Sequence, residues 1–168
     1  VVSNRILNLS NEVSNIDTEK ESLPNETVNT NPLTNTKIRR AQERCTYTKD
    51  IICYLKTGRL PADLTKCKKT MIWADNCIFD TDTQILYRIN DSKSMKDESY
   101  LQIFLPTDLV LPAIELSHST NSQNHCGIAT TISNFRQNYY CPNNAHYIRE
   151  YVSSCQVCSL CKPNNRPM

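Results

Sequence analysis

The chain has 168 residues, 39% hydrophobic and 21% charged, with a formal net charge of +2. That length holds one ordinary domain, or two very small ones with a tail. No apolar run is long enough to cross a membrane as a helix, so no membrane partner is expected. The charge is uneven: residues 1–36 carry −3 and the remainder about +5. A mildly basic body suits contact with nucleic acid without requiring it.

Nine cysteines is an odd number. Cys45, Cys53, Cys67 and Cys77 are spread singly, whereas Cys155, Cys158 and Cys161 are clustered. This pattern fits metal binding in a reducing compartment better than a disulfide framework. The chain starts at Val1 without a signal peptide and reads as an excerpt of a longer one. An intracellular setting, cytoplasm and nucleus, is the expectation.

Residues 1–37 lack periodicity and aromatic residues and read as a disordered linker. Order is expected from about Lys37. Ile51, Ile52, Leu55 and Tyr47 share one helical face, and Gly58 stands where a helix stops. "RLPADLTKCKKTMIW" reads as a loop and a short helix. "NCIFDTDTQILYRIN" reads as a hairpin, with Ile78 and Phe79 before the turn and Ile85, Leu86 and Tyr87 after it. "YLQIFLP" is a third short strand. Residues 38–105 therefore form a helix-plus-hairpin extension.

After Pro106 the pattern turns helical. Thr107 or Asp108 is placed to cap a helix running to His118, with Pro112 awkwardly inside it. Ile128, Ile132 and Phe135 make the stripe of a second helix, and Ala145, Ile148 and Val152 that of a third beginning near Pro142. The fold class expected is mainly α with a small β-hairpin module. Residues 106–163 would be a three-helix, helix-turn-helix-like bundle, and 164–168 a tail.

His118 would end the first of these helices and His125 begin the second, so their loop can turn both rings towards one point. Cys155-x-x-Cys158 closes the third helix and can clasp one ion from a single turn. Four such ligands suit tetrahedral zinc. Spacing alone leaves a second reading open: two surface histidines and incidental cysteines.

The neighbouring residues carry a resemblance. The chain has His118, then His125-Cys126-Gly127 with Thr131, then Tyr139-Tyr140-Cys141-Pro142. It continues with Ile148, Tyr151-Val152, Cys155, Cys158 and Lys162-Pro163, and 29 residues separate His125 from Cys155. This resembles the His-His-Cys-Cys zinc-binding domain of retroviral and LTR-retrotransposon integrases, most closely the gypsy-type branch. "AQERCTYTKDIICYLKTGRLPAD" and "ILYRIN" are similar, less specifically, to the segment that precedes this domain in such Pol polyproteins. The resemblance implies one structural zinc ion held by His118, His125, Cys155 and Cys158. It also implies a role in integrase assembly, with homo-oligomeric partners, and in contact with element DNA.

The chain departs from the family pattern where Cys141 replaces a Trp and where Ala129 and Thr130 replace basic residues. Cys126 and Cys161 are extra thiols, with Cys161 the alternative to Cys158 as ligand. His146 is expected on the exposed side of the third helix. Arg136, Arg149, Lys162 and Arg166 are the candidates for DNA contact, and binding through so few cations should be weak and nearly indifferent to sequence. The family's catalytic carboxylates lie downstream of the Lys-Pro. Asp75, Asp80, Asp82 and Asp91 read as solvated turn residues, so no catalysis is expected of this chain. The alternative is a host-domesticated or truncated zinc module for protein or DNA contact, unrelated to transposition.

Overall fold

The structure, a computed structural model, describes residues 6–7, 33–90, 100–119 and 125–161. In chain order the elements are β1 (Ile6–Leu7), α1 (Asn35–Arg44), α2 (Thr46–Thr57), α3 (Leu64–Ala74), β2 (Cys77–Asp80), β3 (Ile85–Asn90) and β4 (Tyr100–Phe104). They continue with α4 (Thr107–His118), α5 (Ile128–Asn138), β5 (Tyr139–Tyr140), α6 (Asn144–Ser154) and α7 (Gln156–Cys161). The fold is mostly helical around a small sheet, as the sequence pattern implies.

The five strands lie in the order β1-β2-β3-β4-β5. The pairs β2–β3 and β3–β4 are antiparallel, with Phe79 opposite Leu86 and Tyr87 opposite Ile103. The outer pairs are parallel, Ile6 opposite Phe79 and Ile103 opposite Tyr139. Hydrophobic alternation anticipates the hairpin and β4 but neither two-residue edge strand. Parallel partners so short and so distant in sequence leave no local pattern to read.

Side chains alternate across a strand, and here the two faces feed different cores. Ile85, Tyr87, Ile103 and Tyr139 face a cluster built on Ile38, Leu105, Ile114, Phe135 and Ile148. Phe79, Leu86, Phe104 and Tyr140 face a second cluster with Ile51 and Leu55 of α2 and Ala74 of α3. The sheet is thus a middle layer. The first cluster joins α1 to α4, α5 and α6, so the core does not divide at residue 105.

Two local expectations change. Leu33 is buried in the first cluster and α1 already begins at Asn35, with Thr34 capping Lys37 N at 3.4 Å. Order therefore starts before residue 37, because Leu33 has apolar surface to bury. The strand at Ile6–Leu7 also falls within the stretch expected to be disordered; residues 1–5 and 8–32 lie outside the described residues. At α4 the cap is Pro106, not Thr107 or Asp108, and Pro112 stands inside the helix. The basic stretch before Gly58 is two helices broken at Cys45, where Thr48 Oγ1 donates to the Gln42 carbonyl at 2.7 Å. Gly58 itself takes the left-handed conformation (φ 71°) and donates to Tyr54 O, which ends α2 as expected.

Gln42 is a residue the pattern gives no reason to single out. It is fully buried, and its Nε2 donates to Leu86 O at 3.0 Å and Phe104 O at 2.8 Å while its Oε1 accepts from Leu86 N at 2.8 Å. One amide so joins α1 to β3 and β4.

Candidate metal centre

Four helix ends converge on one point. His118 is the last residue of α4 and is 1% exposed. His125 lies before α5 with a left-handed backbone (φ 56°), uncommon for a residue with a side chain. Cys126 N donates to His118 O at 2.9 Å and closes the connection between the two histidines. Cys155 caps α6, and Cys158 lies on α7, a short helix that the sequence pattern does not announce.

The donor atoms of His118, His125, Cys155 and Cys158 all lie within 4.8 Å of one another. His125 Nδ1 is 3.2 Å from His118 Nε2, Cys155 Sγ is 3.3 Å from His125 Nδ1, and Cys158 Sγ is 3.4 Å from His118 Nε2. A tetrahedron with Zn–N of about 2.0–2.1 Å and Zn–S of about 2.3 Å has N···N edges of roughly 3.3 Å and N···S edges of roughly 3.5 Å. The three observed edges match those lengths. Two thiolates and two neutral imidazoles would also balance a divalent charge.

The surroundings orient the rings. His118 Nδ1 faces Thr131 Oγ1 at 3.3 Å, and that hydroxyl lies 3.0 Å from the Gly127 carbonyl, which accepts its proton. Nε2 is thereby left pointing at the other ligands. Tyr151 packs edge-on against His118 with centroids 5.6 Å apart. Asn134 Nδ2 donates to Ser117 O at 3.3 Å and ties α5 to the end of α4. Asn134 is a positioning residue that no local sequence pattern announces, because its partner lies 17 residues away.

Residues 105–164 match the family model of the integrase zinc binding domain. This segment is an integrase zinc-binding domain. The comparisons with curated proteins and with solved structures give no match. The domain brings its two histidines and two cysteines together as the resemblance implies.

The other singled-out residues separate. Cys126 is buried but stands outside the four-ligand group, and the side chain of Cys161 lies outside the described residues. His146 is exposed and pairs with Glu150 at 3.4 Å. Arg136 is exposed, and its Nε donates to Asn144 Oδ1 at 3.1 Å, while its carbonyl accepts from Tyr100 Oη and Gln102 Nε2. Arg149 is exposed on α6; Lys162 and Arg166 lie outside the described residues.

Asp80 is a correction: it is fully buried, not solvated. Its carboxylate accepts from Asp82 N at 3.1 Å and Thr83 N at 3.3 Å, fixing the hairpin turn. Asp75 and Asp82 are exposed as expected, and Asp91 lies outside the described residues. No helix among the described residues is long and apolar enough to cross a membrane.

Proposed function

We propose that the chain is the zinc-binding N-terminal region of a retroelement integrase, of the LTR-retrotransposon or retroviral Pol type. It serves integrase assembly and contact with element DNA in the cytoplasm and nucleus, and does not itself catalyse. The observation that carries this reading is the His118–His125–Cys155–Cys158 group inside an integrase zinc-binding domain.

One zinc ion held by all four residues would have no open position for water, so its chemistry is structural. It would fix the end of α4, the start of α5 and the α6–α7 corner as one unit. DNA contact then falls to Arg136 and Arg149 on α5 and α6, with Lys162 and Arg166 after α7. Phosphate contacts of this kind position a protein without reading bases.

Purified chain, with zinc retained or stripped, would be titrated with element-end and unrelated duplexes over a range of salt. Weak binding to both, lost with zinc and steeply reduced by salt, is the expected result. No binding to either duplex would overturn the DNA-contact role, and equal binding with and without zinc would overturn its dependence on the zinc-held fold. Strand cleavage or joining by this chain alone with magnesium or manganese would overturn the non-catalytic one.

A further inference from the structure

A groove of about 850 Å³ runs between α4 and α6, with Tyr47 and Trp73 on its far wall. At its mouth Leu111 is 60% and Tyr147 42% exposed. Large apolar side chains held in water beside an apolar groove mark an interaction surface. Glu150, which also pairs with His146 at 3.4 Å, is the one charged side chain among the described residues that lines it; α4, the other wall, carries Asp108 and Glu115 outside the lining and no Lys or Arg. The groove therefore suits an occupant that is both apolar and basic.

Helix α3 has that chemistry. Lys66, Lys68 and Lys69 are exposed, and there is no acidic residue from Leu64 to Ala74. None of the three forms an ion pair among the described residues. Leu64 is 78% and Ile72 66% exposed. With Lys68 they follow i, i+4, i+8 spacing, an apolar-basic-apolar stripe on one helical face. The helix cannot fill the groove of its own chain. Its inner face is fixed by buried Thr70 and Ala74, and its Trp73 already forms part of the groove wall, so the stripe faces away.

We propose that the groove between α4 and α6 receives helix α3 of a second copy of this chain, with Leu64 and Ile72 in the groove and the lysines against its acidic rim. The proposal deepens the assembly role above by naming its surfaces.

The test is sedimentation of the full, zinc-loaded chain across the micromolar range. Wild type should associate with rising concentration. Glu150→Lys and Leu111→Lys in the groove, and Lys68→Glu with Ile72→Glu on the helix, should each remain monomeric with zinc content unchanged. All four positions are exposed, so folding should survive. An equimolar mixture of Glu150→Lys with the Lys68→Glu/Ile72→Glu variant should form 1:1 dimers, because one intact groove then meets one intact helix. Wild type that holds zinc yet stays monomeric overturns the docking while leaving the zinc domain untouched. Variants that associate as wild type does, or a mixture that stays monomeric, overturn it as well.

Discussion

The Nδ1 atom of His118 lies 3.3 Å from Oγ1 of Thr131, on the side of the ring opposite the other three ligands. The hydroxyl hydrogen points to Gly127 O, so Oγ1 is left to accept from Nδ1–H. That bond selects the tautomer whose Nε2 lone pair faces the metal centre. Such outer partners typically change metal affinity by about 10–100-fold when removed. Thr131→Val keeps the shape and deletes the acceptor. Zinc affinity in competition with a chromophoric chelator should fall within that range, with helicity retained when zinc is saturating. Unchanged affinity would show that packing alone orients the ring.

Removing a ligand should have a larger effect. His125→Ala or Cys155→Ser leaves an incomplete donor set, and either should abolish stoichiometric zinc binding. The domain is small, and structural zinc commonly supplies folding free energy that the core of such a domain cannot. The Phe135 and Ile148 cluster also contains Ile38 and Ile85. Chelation should therefore loosen α1 and β3 along with α4–α7, in one cooperative transition. Retention of one zinc equivalent and full helicity by both variants would refute the ligand assignment, and two separate transitions would refute the shared core.

Gln42 offers a test of that union away from the metal. Gln42→Leu fits the volume but removes two donors and an acceptor, leaving Leu86 N–H and two carbonyls to find other partners. Burying such groups unpaired costs about 1–3 kcal/mol each, partly relieved by relaxation. A loss of roughly 2–4 kcal/mol in urea denaturation is expected, on that basis, with zinc stoichiometry unchanged. A loss below about 0.5 kcal/mol, the scale of an ordinary surface substitution, would mean that the amide is not structural.

Most helices were legible because their signals are local. The apolar stripe of Ile148 and Val152, the alternation in Ile85-Leu86-Tyr87 and Gly58 as a stop each need only a few neighbouring residues. The candidate ligand group was legible because His118, His125 and Cys155 border helices and all four residues carry the family spacing. What escaped depends on partners far along the chain. Tyr139 and Tyr140 form a strand because β4 offers an edge, and Gln42 is buried because two strands present unpaired groups to α1. Asp80 departs from expectation for a local reason: a turn aspartate is normally exposed, but this one folds inward onto its own turn amides.

Cys141 gives a prediction in pH. It occupies the floor of the groove and is 1% exposed, and burial pushes its thiol up to about 12. At neutral pH it should be a protonated, inert side chain, whereas Cys53 is exposed on α2. Iodoacetamide should label Cys53 in the native protein and Cys141 only after unfolding, as read by peptide mapping. The sign of the stability effect follows from linkage. The unfolded thiol ionises from its ordinary value of 9.0, while the folded one resists. The unfolded state then binds fewer protons, so the stability contributed by Cys141 is complete below pH 9 and is lost as pH rises towards 12. Tyr47, Tyr139 and Tyr140 are raised by burial too and act in the same direction at higher pH. The wild type must therefore be compared with Cys141→Ala. The stability difference between them should shrink above pH 9. A constant difference, or rapid native labelling of Cys141, would mean that the groove floor is open to water.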